Sequence, residues 1–558
     1  MQRIIPFLAF TILSLFATAQ PEQPGRIWIL FKDRNPAHAS LHPQFQTDRF
    51  NAASRRRRIL RAESPWDETD LPVDSEYVQK VRNAGAEVYR ETRWLNGVSA
   101  YCDNACRARV LQLPFVSEVR PVLIYRRPLD SISRSTRLLT SIQKRGKRLR
   151  YGQSADQLKQ INVPPIHKKG YAGQGEIVAI FDTGFRKDHI AFKNHEIVAE
   201  KDFVFNDGNV TDGTDTDLHG TATWSCVGGE APGRLYGPAY RAQVLLAVTE
   251  DIRTETEVEE DNWVAALEWA DENGATVVSS SLGYPDFYLA NQLNGKKAIT
   301  SRAASTAARK GILLVNSAGN EGPRKSTIAP PADARKILSV GAVDPDGSIA
   351  FFSSRGPTAD GRIKPEVVAR GEGTFVATSI TSSSFDYLDG TSFSCPLVAG
   401  AAAVLFSAHP GWNPLQVRES FLNTAAGADH PNNDYGWGLI DLQAAVDYLP
   451  KKIIVIEYTP PSRPVSDSQP LRIQSRIRAQ RGLNLDSPAV SWSTQAGGPF
   501  QQIPLLPVAG QADTFAASIP PQIAGTDLFY FLTAADRKGK TEKLPLDAPD
   551  STFHVTFR

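Results

Sequence analysis

Between residues 151 and 450 continuous apolar runs alternate with stretches whose apolar positions recur at helical spacing. EIVAIFDTG, AQVLLAVTE, TVVSSSLGY, ILLVNSAGN and ILSVGAV show no polar alternation, the pattern of strands covered on both faces. In EVEEDNWVAALEWADENGA, Trp263, Leu267 and Ala270 share one helical face and Gly274 supplies a C-terminal stop. Trp269 falls on the same helix, so both tryptophans are expected to be packing groups. The pattern predicts an α/β fold, a mostly parallel sheet with helices on both faces.

On either side the pattern changes. Residues 20–126 mix the extended runs IWILF, GVSAY and VSEVRPV with helical stretches around Arg55–Arg58 and SEYVQKVRNAG, which predicts a small α+β domain. Residues 127–150 are polar and basic without periodic apolar positions, as in an exposed linker. Over residues 451–558, Leu471, Ile473, Ile477 and Ala479 alternate with Arg472, Gln474, Arg476 and Arg478, and Phe553, Val555 and Phe557 alternate near the end. About seven such runs predict a β-sandwich of immunoglobulin or fibronectin type. Residues 1–19 carry Arg3, an apolar stretch from Ile4 to Phe16 and Ala17-Thr18-Ala19, the layout of a secretory signal peptide. That stretch is shorter than the roughly 20 residues that span a bilayer, and no later segment reads as a span. The expected destination is extracellular or periplasmic, with no membrane insertion once the signal is removed.

Composition adds limits. A chain of 558 residues with 41% hydrophobic and 22% charged residues exceeds one core and reads as ordinary globular protein. The formal net charge of +2 asks for neither nucleic acid nor an anionic membrane. Arg55–Arg58 is accordingly expected to be a solvated helix face and not a nucleic-acid site.

Three short motifs carry the chemistry. FDTGF places Asp182 at the carboxyl end of an apolar strand, where catalytic groups of open α/β sheets gather. DLHGTAT places His219 at a helix start, and DGTSFSCPLVAG places Ser392 in a tight turn opening a helix of small residues. Each motif alone is ambiguous; three together, each on a fitting element, point to nucleophilic serine chemistry. A serine hydroxyl needs a base, which assigns His219, and the imidazole needs a carboxylate to fix its tautomer, which assigns Asp182. Asn320 in SAGNEG offers a neutral amide donor for an oxyanion beside the Ser392 N–H. A lipase-type GxSxG elbow with the order Ser, Asp, His is absent. Cys226 and Cys395 each closely follow one of these residues, so a bridge between the two helices is one reading and two buried thiols the other.

FDTGF, HGT, NSAGNEG and GTSFSCP resemble the active-site motifs of the subtilisin-like serine proteases across residues 151–450, and TEDIRTETEVEEDNW through SSSLGY is similar to the bacillopeptidase F-like branch. The resemblance implies a secreted, monomeric serine endopeptidase acting on proteins and peptides. It implies two backbone edges, Ser281-Leu282-Gly283 and Ser317-Ala318-Gly319, clamping an extended substrate, with Glu321 at the rim of an open first pocket. Residues 20–126, through WLNGVSA and LPFVSEVRPV, resemble the family's inhibitory prodomain, an intramolecular inhibitor whose end occupies the groove until cleavage within about 126–150. No cofactor is required for the chemistry. Structural calcium, frequent in the family, has no assigned ligands, and the carboxylates of FNDGNVTDGTDTD lack EF-hand spacing. Phe393 stands where the family often has Met; Met1 is the only methionine. The competing reading is a catalytically silent binding protein on the same fold, which needs none of Asp182, His219, Asn320 and Ser392.

Overall fold

Seven strands form one parallel sheet in the computed structural model, in the order 367–370, 338–343, 313–317, 277–280, 177–182, 243–248, 197–202. The structure describes residues 25–558 except 35–48, 63–65, 123, 126–148, 214, 251–257, 285–287, 289, 449–453, 459, 462–463, 480–481, 546–547 and 550–551. The signal segment and nearly all of the 127–150 linker therefore lie outside the described residues.

The five apolar runs are the interior of that sheet, and their side chains alternate between two cores. Val178, Ile180, Val315 and Val340 pack with the helices Asp217–Gly228 and Thr391–Ala408, while Ile177, Ala179, Phe181 and Leu314 pack with Glu260–Glu272 and Ile299–Arg309. Trp263 is fully buried and Trp269 packs at the edge of that second core. Two sheet strands, Ile197–Asp202 and Val367–Arg370, go beyond the five runs; the first is a half-buried edge strand carrying Glu200 and Lys201. Thr391–Ala408 is long and apolar enough to cross a membrane, yet it is the central helix of the fold and almost wholly buried in it.

The N-terminal unit is a four-stranded antiparallel sheet in the order 87–92, 97–102, 25–31, 116–121 with the helices Ser75–Asn83 and Asn104–Val110. Ile27 and Ile29 face the core of this unit, while Trp28 and Leu30 join the peptidase-side core with Ala266 and Leu267. The sheet thus lies against the helix Glu260–Glu272, whose Asp261 accepts from Arg26 at 3.3 Å and from Ser99 at 2.6 Å.

Beyond residue 453 two antiparallel sheets, 454–457/471–479/514–519/506–507 and 501–504/489–493/527–535/541–544 with 553–556 on the long strand, share one core. Leu471, Ile473 and Ile477 point into it and the intervening Arg472, Gln474 and Arg476 are exposed.

One open choice is decided against the proposed bridge, and one expectation is corrected in part. Cys226 and Cys395 are free, buried thiols, and the described disulfide joins Cys102 to Cys106, with Cα atoms 5.5 Å apart. Cys395 donates instead to the carbonyls of Val315 and Ser280, at 3.4 and 3.5 Å, inside the sheet–helix core. The arginine run is a solvated face only in part: Arg56 is exposed and Arg55 half-buried, but the helix Ala52–Arg61 buries Arg57, Arg58 and Arg61 against carboxylates of the central unit.

Candidate active site

Asp182 ends the strand Ile177–Asp182 and has no exposed surface. Its carboxylate accepts from the Thr183 N–H at 2.9 Å, the Thr223 hydroxyl at 2.9 Å and His219 Nδ1 at 2.6 Å. A carboxylate oxygen can only accept at this contact, so the pairing puts the imidazole proton on Nδ1 and leaves Nε2 as the acceptor nitrogen. The approach of the His219 helix depends on Gly220. A Cβ there would meet the Gly184 carbonyl oxygen at 2.1 Å and Asp182 Cβ at 3.1 Å.

Ser392 is the second residue of Thr391–Ala408, a helix that begins after Gly390 without a side-chain cap from that residue. Gly390 has φ +154°, in the range that favours glycine. The ring of Phe393, next along the chain, lies 5.7 Å from the His219 ring at 49°, so the Ser392 turn abuts the His219–Asp182 pair. Asn320 Oδ1 accepts both the Thr391 N–H at 2.9 Å and the Thr391 hydroxyl at 2.8 Å, which fixes the amide orientation. Its Nδ2 is thereby turned to the Gly390–Ser392 turn, 3.7 Å from where a Gly390 Cβ would stand.

The two predicted edges run beside this turn. The Ser281 hydroxyl donates to the Ser392 carbonyl at 2.9 Å, and the Thr391 hydroxyl reaches the Gly319 carbonyl at 3.2 Å. Ser281, Leu282, Ser317 and Ala318 are buried, whereas Gly283 and Gly319 are partly open. Glu321 is half-buried, and both its N–H and its carboxylate bond the Ser354 hydroxyl, at 3.1 and 2.8 Å. Asn316 was not among the predicted site residues. Fully buried, it donates through Nδ2 to the carbonyls of Leu282 at 2.8 Å and Ser317 at 2.9 Å, tying one edge to the other. The signal for it is an amide in an otherwise apolar strand, since a buried polar group there must find partners.

Farther along, Ile124–Tyr125 pairs antiparallel with Val258–Glu259, immediately before the helix Glu260–Glu272. Among the described residues no group of three or more His, Cys, Asp or Glu is arranged to hold a metal ion. Two carboxylates of the loop before His219 turn on its own backbone: Asp207 accepts from the Asn209 N–H at 2.8 Å and Asp217 from the Asp212 N–H at 3.0 Å.

The profile of the Subtilase family matches residues 173–438, and that of the Peptidase S8 propeptide domain, Bacteroidota, matches residues 26–137. Subtilisin E of Bacillus subtilis (strain 168) is 31% identical over 300 residues, covering 53% of this chain and 72% of that protein. Subtilisin-like protease SBT6.1 of Arabidopsis thaliana is 31% identical over 298 residues, 51% of this chain, which spans only 27% of the plant protein's length. The crystal structure of MycP1 with the N-terminal propeptide removed superposes with a TM-score of 0.44 at 22% identity, over 53% of this chain and 98% of that one.

Proposed function

This chain belongs to the subtilase family of serine endopeptidases and carries the family's propeptide domain, and from that premise we propose that Asp182, His219 and Ser392 are its catalytic triad. The observation that carries the assignment is the 2.6 Å bond between His219 Nδ1 and the buried Asp182 carboxylate. Ser392 Oγ attacks the scissile carbonyl as His219 Nε2 takes its proton, and Asp182 stabilises the imidazolium. The tetrahedral oxyanion is met by Asn320 Nδ2 and the Ser392 N–H. His219 then protonates the leaving amine, and water releases the acyl group from Ser392 by the same route.

Protein and peptide substrates lie extended between Ser281-Leu282-Gly283 and Ser317-Ala318-Gly319, recognised through main-chain pairing that accepts many sequences. Glu321 lends the first pocket a mild preference for basic side chains. Residues 20–126 act as the inhibitory prodomain and cleavage within 127–150 frees the peptidase unit 151–450, with 451–558 as a sandwich domain. Pairing of Ile124–Tyr125 with Val258–Glu259 supports this, because the end of the propeptide occupies a strand edge just before a helix of the peptidase unit. The signal-like residues 1–19 support secretion, and the 249–284 region supports the bacillopeptidase F-like branch. The triad chemistry uses no cofactor.

The test compares wild type with Ser392→Ala by intact mass and by peptide release from casein, with and without a serine-directed covalent inhibitor. Wild type is expected to lose about 100 or more N-terminal residues and to digest casein, the inhibitor abolishing digestion, while Ser392→Ala stays full length after signal removal. Two proteins that behave alike and cleave nothing would leave the silent binding-protein reading in its place.

A further inference from the structure

The contacts of residues 49–62 and 66–70 lie apart from the groove, and the mechanism above does not use them. The helix Ala52–Arg61, capped by Asn51, faces two bodies at once. Toward the peptidase unit, Arg57 donates to the Ala275 carbonyl at 2.7 Å, and Arg57 and Arg58 both bond the Asp271 carboxylate. Arg61 forks onto Glu176 at 2.7 and 2.9 Å, reaches the Pro410 carbonyl at 3.3 Å and lies 4.2 Å over the Phe406 ring. Next to the helix, Asp67 and Asp70 hold Lys310 at 2.7 and 2.6 Å. The backbones approach so closely that a Cβ on Gly274 would stand 2.7 Å from Ala53 Cβ. Toward the C-terminal sheets, Leu60 is buried in the same core as Ile454, Ile456 and Ile473, and Ile59 packs against it. The peptidase unit meets the sandwich directly beside this helix, where Glu457 bonds both His409 at 3.1 Å and Arg478 at 2.6 Å.

We propose that the seam between the peptidase unit and the C-terminal sandwich is a second propeptide-binding site, occupied by this chain's own arm, the helix Ala52–Arg61 with Asp67 and Asp70, and that it retains the propeptide after the linker is cut. The proposal rests on the zymogen reading above. It gives the sandwich a role: part of the receptor for the inhibitor.

The energetics favour a slow release. Leaving the seam requires Arg57, Arg58 and Arg61 to part from Asp271 and Glu176 while these side chains are still buried, and truncating one partner leaves the other charge buried and unpaired. Losses of that kind appear mainly in the dissociation rate. The described tail pairing, by contrast, spans two residues on each side. Buried pairs are also weakly screened, so the arm is expected to hold at salt concentrations that loosen exposed pairs such as Lys80–Glu76.

The experiment starts from full-length precursor left to process itself, and follows by native mass spectrometry the fraction of peptidase still carrying cleaved propeptide, alongside the appearance of casein cleavage. Wild type is expected to retain the propeptide and show a lag. Arg61→Gln, Glu176→Gln and Leu60→Asn are each expected to release it at least about tenfold faster, and the Arg61→Gln/Glu176→Gln double variant less than additively so, as expected of a direct pair. Leu60→Met, which keeps the volume, should release at the wild-type rate. Glu176→Gln should keep wild-type kcat/KM once the propeptide is gone, because the hydrogen bonds made by its carboxylate go to the arm. One release rate across all variants overturns the proposal, and faster release in the charge variants alone overturns the sandwich's share in it. A wild type that never processes would instead sink the protease reading, a different failure with a different readout.

Discussion

At the scale of single residues, Asn320 does one job with each end of its amide. Oδ1 accepts from the N–H and the hydroxyl of Thr391, and turning the amide over would leave that N–H facing another donor. The end that faces the Ser392 turn is therefore always a donor, and a neutral one. Charge on the substrate oxygen develops only in the transition state, so removing this donor costs turnover and leaves ground-state binding nearly untouched. Asn320→Ala is expected to lower kcat by about 10²–10³-fold, the scale established for this donor in subtilisins, with KM little changed. Steady-state kinetics on a peptide substrate decide the matter: a rise in KM at constant kcat would remove Asn320 from the oxyanion role. The two thiols near the proposed triad offer no second nucleophile. Burial raises Cys395 to about 12 and Cys226 higher still, which keeps both in the inert thiol form.

At the scale of elements, the site is a matter of how closely a helix start can approach a strand end. The carbonyl that a Gly220 side chain would strike belongs to backbone and cannot swing aside. Gly220→Ala must therefore shift the His219 helix from the Asp182 strand. A displacement near 1 Å is enough to lose about 10²-fold in kcat/KM, with a smaller effect on thermal stability; kinetics and a melting curve on the same sample test this, and unchanged kcat/KM would show that the approach is not needed. The interior strands were legible because burial on both faces forbids polar alternation. The edge strand Ile197–Asp202 was not, since Glu200 and Lys201 break the apolar run where only one neighbour covers it. The buried side of the arginine helix was misread for a related reason. Its partners Asp271 and Glu176 lie more than a hundred residues away along the chain, and local sequence carries no mark of a carboxylate brought there by folding. Asp182, His219 and Ser392 were singled out because each motif pairs a reactive side chain with the small residues its element needs. The link that Asn316 makes between Leu282 and Ser317 depends on two carbonyl positions that only the folded sheet defines.

At the scale of the whole molecule, the peptidase unit and the propeptide interface answer acid differently. His167 bonds the Tyr151 hydroxyl at 3.0 Å and the Pro238 carbonyl at 2.7 Å, and His195 accepts from Trp224 Nε1 at 3.0 Å. Burial lowers both to about 4, from an ordinary value of 6.5. Between those limits the unfolded chain takes up protons that the folded one refuses. Their contribution is thus complete above pH 6.5 and is lost as pH falls toward 4, roughly 3 kcal/mol for each histidine. Asp271 has the opposite timing. Though burial opposes its charge, Arg58 and Arg57 hold the carboxyl well below its usual range, so its pairing with the propeptide helix persists through the same window and fails only in stronger acid. Mild acid is therefore expected to weaken the peptidase core before it loosens this grip. In unprocessed Ser392→Ala, Tm should fall steadily from pH 6.5 to 4, and His195→Gln should flatten part of that slope by removing one of the two proton acceptors. A Tm independent of pH across this window would show that neither histidine is kept neutral by the fold.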